Sequence, residues 1–163
     1  MSPASTPSAA RWFALAGGLA AVDQLVKALV LARFFPGERL ELTGFLNMVL
    51  VFNKGAAFSF LAGAPGWQTP LLVAFAIGAG LFLGYLIMRN RTRTLMNAGL
   101  SLVLGGAIGN VADRVRIGAV VDFVDFHALG WHFPAFNVAD SAITIGAILL
   151  IYEGFVHPEA KKG

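Results

Sequence analysis

The sequence predicts an all-α membrane protein with four transmembrane helices in a single domain that spans residues 1–163. Hydrophobic residues make up 57% of the chain and the mean hydropathy is +0.73. Charged residues reach only 13%, whereas a soluble domain usually carries about 25%. Four separate apolar segments each approach the ~20 residues that a helix needs to cross a bilayer core.

The predicted spans follow a polar extension, residues 1–10, which we expect to be disordered. Each span should be helical, because backbone groups inside a bilayer must be satisfied within their own segment. The first span contains Asp23 and Lys27. We therefore do not interpret it as a cleaved signal peptide, whose apolar core lacks internal charges. The predicted spans cover residues 12–31, 70–88, 95–111 and 138–156.

The basic residues indicate how the chain crosses the membrane. Arg11 precedes the first span, the sequence RNRTR (89–93) separates the second and third, and two lysines (161–162) follow the fourth. Because basic residues concentrate on the cytoplasmic side, we expect both termini to be cytoplasmic. Residues 34–69 and 112–136 should then lie on the outer side.

Both outer segments are too long and too patterned to be simple turns. The sequence ERLELTGFLNMVLVFN (38–53) alternates in part and contains β-branched residues, which predicts short strands at the outer surface. The sequence VVDFVDFHALGWHF (120–133) mixes aromatic and polar residues, which is typical of a membrane-interface segment.

Glycine spacing predicts close helix packing within the bundle. Gly80 and Gly84 are four residues apart, as are Gly105 and Gly109. Small residues at this spacing allow helix backbones to approach each other in a bilayer.

Composition and spacing exclude several kinds of site. The chain has no cysteine, which excludes disulfides, a thiol nucleophile and thiolate metal ligands. Basic residues are not interleaved with aromatic ones as in a nucleic-acid interface, so we expect no nucleic-acid partner. Asp122 is followed by Asp125, His127 and His132, but their spacing matches no zinc motif. We expect no metal and no cofactor, and interpret both histidines as solvated at the interface.

Asp23 and Lys27 are four residues apart and share one face of the first span. They could form a neutral pair that faces the bundle, or they could relay protons or position a substrate. Charged groups within spans need a partner or a function. We favour a structural or supporting role, because one pair can satisfy itself.

The sequence NKGAAFS begins with Asn53, and Gly55 can adopt a backbone conformation with positive φ. Asn53 could be a turn former, or its amide could bind the backbone of an extended substrate. The residues leave both interpretations open.

The sequence GGAIGNVADR ends the third span. Asn110 and Asp113 are three residues apart and share a helix face. We expect Asp113 to pair with Arg114 or Arg116. A buried pair of carboxylate and guanidinium would brace the residues beside it.

The sequence FPAFNVADSAI opens the fourth span. Asn137 is a candidate N-cap, and Asp140 falls at the third helical position. Asp140 could simply be a capping carboxylate, which the helix dipole favours there. However, Asp122 and Asp140 lie on the same predicted side of the membrane, where the bundle could bring them together.

Two adjacent carboxylates tend to share a proton, because they cannot both ionise easily. One can activate a water molecule as general base, while the other hydrogen-bonds the scissile carbonyl and helps to protonate the leaving amine. This is the chemistry of aspartic proteolysis. It requires no serine, cysteine or metal.

Five motifs, in the order DQLVK, FNKGAAFSF, GGAIGNVADR, VVDF and FPAFNVADSAI, resemble those of the bacterial lipoprotein signal peptidases, also called signal peptidase II. The resemblance extends from Asp23 to about residue 151. No key position departs from the family pattern. The N-terminal extension and the sequence VDFHALGW are individual to this chain.

The resemblance implies a multi-pass protein of the bacterial cytoplasmic (inner) membrane, with a small extracytoplasmic β-cradle, an interfacial helix and an active site at the outer face. It implies an aspartic endopeptidase whose catalytic pair is Asp122 and Asp140. The family cleaves signal peptides from diacylglyceryl-modified prolipoproteins on the amino side of the lipidated cysteine. From position, we expect Asp140 to be the more acidic member and the general base.

The resemblance also implies partners and supporting residues. Membrane lipid, prolipoprotein substrates and a globomycin-type inhibitor are the implied partners, and we expect a monomer. The residues that would support the site or bind the substrate are Asn53, Gly55, Gly106, Asn110, Asp113, Arg114, Asn137, Ala139, Asp23 and Lys27.

Three other functions would use parts of the same sequence. A proton-coupled carrier would use Asp23 and Lys27 as its relay, but four spans without an inverted repeat argue against it. A non-enzymatic assembly factor would depend only on glycine packing. A different intramembrane aspartic protease is the nearest rival, but the presenilin-type GxGD signature is absent.

Overall fold

A computed structural model describes residues 8–55 and 66–157 as helices joined to a small antiparallel sheet. The strands are hydrogen-bonded in the order β1-β2-β3-β4. The helices are α1 (Ala10–Leu31), α2 (Gln68–Arg89), α3 (Thr94–Ile117) and α4 (Val138–Val156). The strands are β1 (Arg39–Thr43), β2 (Leu46–Asn53), β3 (Val120–Ala128) and β4 (Trp131–His132).

All four helices are long and apolar enough to cross a membrane, which confirms the predicted fold class. Residues 1–7 of the extension that we expected to be disordered lie outside the described residues. Helix α1 begins at Ala10, which is still within that predicted extension. The largest difference concerns α3, which passes its predicted end at residue 111 and stops at Ile117. Gly118 follows with a φ of 75°, the left-handed conformation that commonly ends a helix. Asp113 and Arg116 in this last part are hydrogen-bonded to α1, so these polar residues do not end the helix.

Helix α3 forms the centre of the bundle and packs against α1, α2 and α4. Apolar side chains of α3 such as Leu100 and Leu104 are buried against its neighbours. Helix α2, in contrast, exposes Phe75 and Leu81 on its outer surface. Outward apolar side chains are what a helix presents to lipid. The buried apolar cluster between α1, α2 and α3 comprises Trp12, Ala16, Ile87, Leu100 and Leu104.

Glycines allow α1 to lie directly against α3. A Cβ atom added at Gly105 would lie 2.6 Å from the Ala16 carbonyl oxygen, and one at Gly109 would lie 2.5 Å from Asp23 Oδ2. The prediction of close packing is therefore confirmed for this pair of glycines. It is wrong for Gly80 and Gly84, where an added Cβ would make ordinary contacts of 3.5 and 3.6 Å with side chains.

The sheet forms as predicted for residues 38–53, which contain β1 and β2. Residues 120–133, expected at the membrane interface, form β3 and β4. Strand β2 is antiparallel to β3, with Val51 opposite Asp122, so the end of β2 lies beside the start of β3. The described residues contain no separate interfacial helix, and residues 56–65 lie outside the described range.

We predict that Gly146→Ala destabilises the protein. An added Cβ would lie 2.7 Å from the Gly99 carbonyl oxygen and 3.0 Å from the Val103 nitrogen, so α3 and α4 would have to separate. Overpacking of this kind costs about 1–3 kcal/mol and should lower the Tm in detergent. Gly84→Ala is the matched control and should leave the Tm unchanged. Equal Tm values for both variants would contradict the close α3–α4 contact.

Candidate active site

The two aspartates predicted to form a pair, Asp122 on β3 and Asp140 on α4, both contact Asn137. The Asn137 side chain donates to Asp122 Oδ1 at 2.7 Å. The Asn137 backbone nitrogen donates to Asp140 Oδ2 at 3.3 Å. The structure thus brings the ends of β3 and α4 together around one asparagine. Asp122 and Asp140 are called the dyad below.

Asn137 is the N-cap of α4, as predicted. Its Oδ1 accepts from the backbone nitrogen of Asp140 at 2.9 Å, which completes a capping box with the Asp140 side chain. The other carboxylate oxygen of Asp140 accepts from Asn110 Nδ2 at 2.8 Å. Asp140 also lines a cavity. Capping and participation in a site are therefore compatible roles for this residue.

Asp122 is almost fully buried, at 2% exposure. Burial raises the pKa of Asp122 to about 7, and the negative charge of Asp140 adds to the rise. Hydrogen bonds from Asn53 and Asn137 and the charge of Lys27 oppose it, because they favour the ionised form. Below a pH of about 7, Asp122 therefore holds its proton.

Asn53 joins a turn to the dyad. Its Oδ1 accepts from the backbone nitrogen of Gly55 at 2.9 Å, which confirms the interpretation as a turn former. Its Nδ2 donates to Asp122 Oδ2 at 3.1 Å. The Gly55 carbonyl accepts from Arg114 Nη2 at 2.8 Å, so the arginine braces the turn from the end of α3. Binding of a substrate backbone by Asn53 stays a prediction.

Lys27 is the centre of a buried charge network between α1 and α3. Its Nζ lies 2.8 Å from Asp23 Oδ2 and 2.8 Å from Asp113 Oδ2. It also donates to Asn110 Oδ1 at 3.1 Å. The predicted pair of Asp23 and Lys27 is confirmed, but it belongs to a larger cluster.

The expected pairing of Asp113 with Arg114 or Arg116 is wrong. Asp113 instead binds Lys27 and accepts from Gln24 Nε2 at 2.9 Å. Arg116 donates to Gln24 Oε1 at 3.0 Å. Sequence reasoning missed Gln24, although it stands inside the DQLVK motif. These partners come from α1, and neighbours along α3 do not reveal them.

The two carboxylates bound to Lys27 each hold the backbone beside one member of the dyad. Asp23 Oδ1 accepts from the Ala139 nitrogen at 2.9 Å. Asp113 Oδ2 accepts from the Val121 nitrogen at 3.1 Å. Ala139 and Val121 each stand immediately before a dyad aspartate in the sequence. The charge network therefore sets the position of both dyad residues through the main chain.

Gly106 allows the N-terminal turn of α4 to reach α3. A Cβ atom there would collide with the Ala139 carbonyl oxygen and lie 2.7 Å from Ile143 Cγ1. Ala139 is itself fully buried. Both residues were predicted to support the site, and the structure places them at this contact.

A cavity of about 580 Å³ is lined by Asp140 of the dyad. Its polar lining residues are Asp140, Asn53, Asn110, Ser141 and Thr144, and the larger part of its wall is apolar. Within residues 8–55 and 66–157, no group of three or more histidine, aspartate or glutamate side chains is placed to hold a metal ion. The apolar wall includes Phe133, Phe136, Ile143 and Ile145.

Known proteins resemble this chain in sequence and fold. The family model described as signal peptidase (SPase) II matches residues 15–156. A lipoprotein signal peptidase of Burkholderia vietnamiensis is 49% identical over 153 residues, which cover 94% of this chain and 92% of that protein. One of Janthinobacterium sp. is 50% identical over 149 residues, which cover 91% and 90%. A bacterial membrane enzyme solved by the in meso method has a TM-score of 0.82 and 32% identity, with 94% and 92% covered.

We predict that dyad neighbours control the ionisation of Asp122. Asp140→Asn should lower the pKa of Asp122 from about 7, because it removes a nearby negative charge. Asn53→Ala should raise that pKa, because it removes a hydrogen bond to the ionised form. Infrared absorption of the protonated carboxyl, followed against pH, measures both shifts. Glu153→Gln, at the other end of α4, should change neither, and an unaltered midpoint in Asp140→Asn would contradict the coupling.

We predict that Lys27→Met strongly destabilises the fold. Asp23 and Asp113 would keep their burial and lose their shared cation, a loss that costs about 3–5 kcal/mol. Thermal unfolding in detergent measures the change, with Arg91→Met at an exposed position as the control. Adding Asp23→Asn and Asp113→Asn should recover part of the stability. A Tm for Lys27→Met equal to that of the parent would contradict the role of Lys27.

Proposed function

Because the chain belongs to the signal peptidase II family, we propose that it is a membrane aspartic endopeptidase that acts on diacylglyceryl-modified prolipoproteins. It removes the signal peptide by cleaving on the amino side of the lipidated cysteine. One observation carries the proposal. A single asparagine contacts both Asp122 and Asp140, and Asp140 lines a largely apolar cavity.

The proposed reaction assigns a separate role to each aspartate. Asp140 takes a proton from a water molecule, whose oxygen attacks the scissile carbonyl carbon. Protonated Asp122 hydrogen-bonds the carbonyl oxygen and stabilises the negative charge that develops there. The tetrahedral intermediate collapses when the carbon–nitrogen bond breaks, and the proton held by Asp140 passes to the leaving amine. Each carboxyl group then returns to its starting state.

The polar network supports Asp140 as the general base. Lys27 donates to Asn110 Oδ1 at 3.1 Å, and Asn110 Nδ2 donates to Asp140 Oδ1 at 2.8 Å. A cation on the oxygen of an amide polarises its N–H groups, because hydrogen bonds in a chain strengthen one another in a low dielectric. The position of Asp140 near the start of α4 also favours a negative charge. Asp122, with a pKa of about 7, is the proton-bearing partner.

The cavity supports a substrate that carries both a peptide and a lipid. The lining combines polar side chains, among them Asp140, with apolar residues of α4 such as Ile143 and Ile145. Ile145 is half exposed on the surface of this membrane-length helix, so the signal helix and the diacylglyceryl group can approach from within the bilayer. We propose that the monomer places this cavity at the outer face, with both termini in the cytoplasm. A globomycin-type inhibitor should occupy the same cavity.

We predict that Asp122→Asn and Asp140→Asn each abolish cleavage of a diacylglyceryl-modified prolipoprotein by the purified protein. Loss of general acid–base catalysis should lower kcat by a factor of about 100 to 10 000. The amide is nearly isosteric, so both variants should remain folded. Mass spectrometry of the products locates the cut relative to the lipidated cysteine.

Glu153→Gln provides a matched control, because Glu153 is a buried carboxylate at the opposite end of α4. It should retain cleavage. Cleavage by folded Asp122→Asn and Asp140→Asn at the parental rate would refute the dyad mechanism and leave Asp140 with only its capping role. A carrier would instead depend on Asp23 and tolerate Asp140→Asn, and an assembly factor would keep its function with both changes.

A further inference from the structure

Strand β3 carries a second buried aspartate, three residues after Asp122. Asp125 is 5% exposed, and its carboxylate has no part in the contacts around Asn137. Asn47 Nδ2 on β2 donates to Asp125 Oδ2 at 2.8 Å. His132 Nδ1 on β4 donates to both carboxylate oxygens at 3.0 Å. Arg39 Nη2 on β1 approaches to 3.8 Å, so groups from all the other strands converge on Asp125.

These partners stabilise the ionised carboxylate. Burial by itself would raise the pKa of Asp125, but hydrogen bonds from Asn47 and His132 and the charges of His132 and Arg39 bring it below its usual value. A carboxylate only accepts hydrogen bonds, so the contact places a proton on Nδ1 of His132. The His132 ring also stacks on His127, with 5.2 Å between centroids.

His132 stands directly before the four residues that wall the cavity. Residues 133–136, called the arch below, connect β4 to α4, and all four line the cavity beside Asp140. The arch returns to β3 through Phe136, whose nitrogen donates to the Val124 carbonyl at 3.0 Å. At its other end, the Phe133 nitrogen donates to the Phe126 carbonyl at 2.7 Å.

Each end of the arch is held by an aspartate of β3. Asp122 binds the Asn137 side chain, which follows the arch, at 2.7 Å. Asp125 binds the His132 side chain, which precedes it, at 3.0 Å. The contact between Asp122 and Asn137 involves a dyad residue, whereas the contact between Asp125 and His132 does not. The strand that supplies a dyad residue thus also sets the cavity wall opposite α4.

We propose that Asp125 and His132 form a clasp that positions the arch for substrate binding. The inference rests on the proposed peptidase function and names positioning residues for it. A wall held in place before the substrate arrives reduces the ordering cost of binding. Release of the clasp leaves the contacts of Asp122 and Asp140 in place. The clasp therefore acts on KM and leaves kcat nearly unchanged.

The test measures kcat and KM for cleavage of a diacylglyceryl-modified prolipoprotein in detergent. Asp125→Ala and His132→Ala should each raise KM about tenfold, with kcat within about twofold of the parent. The double variant should resemble either single variant, because both remove the same contact. His132→Asn keeps a donor near the position of Nδ1 and should restore KM towards the parental value.

His157→Ala is the matched control. His157 Nδ1 contacts Glu153 Oε2 at 3.2 Å, a similar pair at the other end of α4, and its loss should leave KM unchanged. If Asp125→Ala does not fold, His132→Ala decides the question, because the His132 side chain is 38% exposed and is the easier one to truncate. Loss of the fold in both alanine variants would overturn the proposal, since the clasp would then support the whole sheet.

The outcomes separate this inference from the proposed function. A parent that does not cleave refutes the peptidase function. A parent that cleaves, together with folded alanine variants of parental KM, refutes only the clasp. A fall in kcat at unchanged KM would also overturn it, because the pair would then act on the chemical step.

Discussion

The buried ammonium group of Lys27 is the interaction on which the arrangement of the site depends. It forms ion pairs with Asp23 and Asp113, which lie on different helices, at 2.8 Å from each. Two carboxylates and one ammonium leave a net negative charge, which hydrogen bonds from main-chain nitrogens and from Gln24 help to stabilise. Burial of charge is tolerated only where ion pairs and hydrogen bonds together satisfy the charged groups. The same contacts that satisfy the charges also fix the start of β3 and of α4.

The bundle makes this network possible through close helix contacts. Gly105 and Gly109 allow α1 to approach α3, and Gly106 allows the first turn of α4 to do so. A Cβ atom at any of these positions would lie closer than 3.0 Å to an atom of the facing helix, so the helices and the charged groups on them would have to shift. The ion pairs of the site therefore depend on the same close helix packing that the glycines allow.

Strand β3 links this network to the proposed binding surface. Asp122, the third residue of the strand, contacts the charge network through Asn137, and Asp125 binds the segment that walls the cavity through His132. Because their neighbours differ, the pKa values of Asp122 and Asp125 shift in opposite directions. The pKa of Asp122 is raised to about 7 by burial and a neighbouring carboxylate, whereas the donors around Asp125 lower its pKa. One carboxyl can carry a proton near neutral pH, and the other remains a fixed negative charge.

The sequence by itself determined the four spans, the strands before residue 53 and the cap at Asn137, because these depend on composition and on residues a few positions apart. The family motifs identified the candidate site residues. Tertiary structure alone decided which groups meet: Asp113 binds Lys27 and Gln24, the latter 89 positions away, and α3 continues to Ile117. The physical reason is that a buried polar group takes its partner from whichever helix packs beside it, and local sequence does not encode that neighbour.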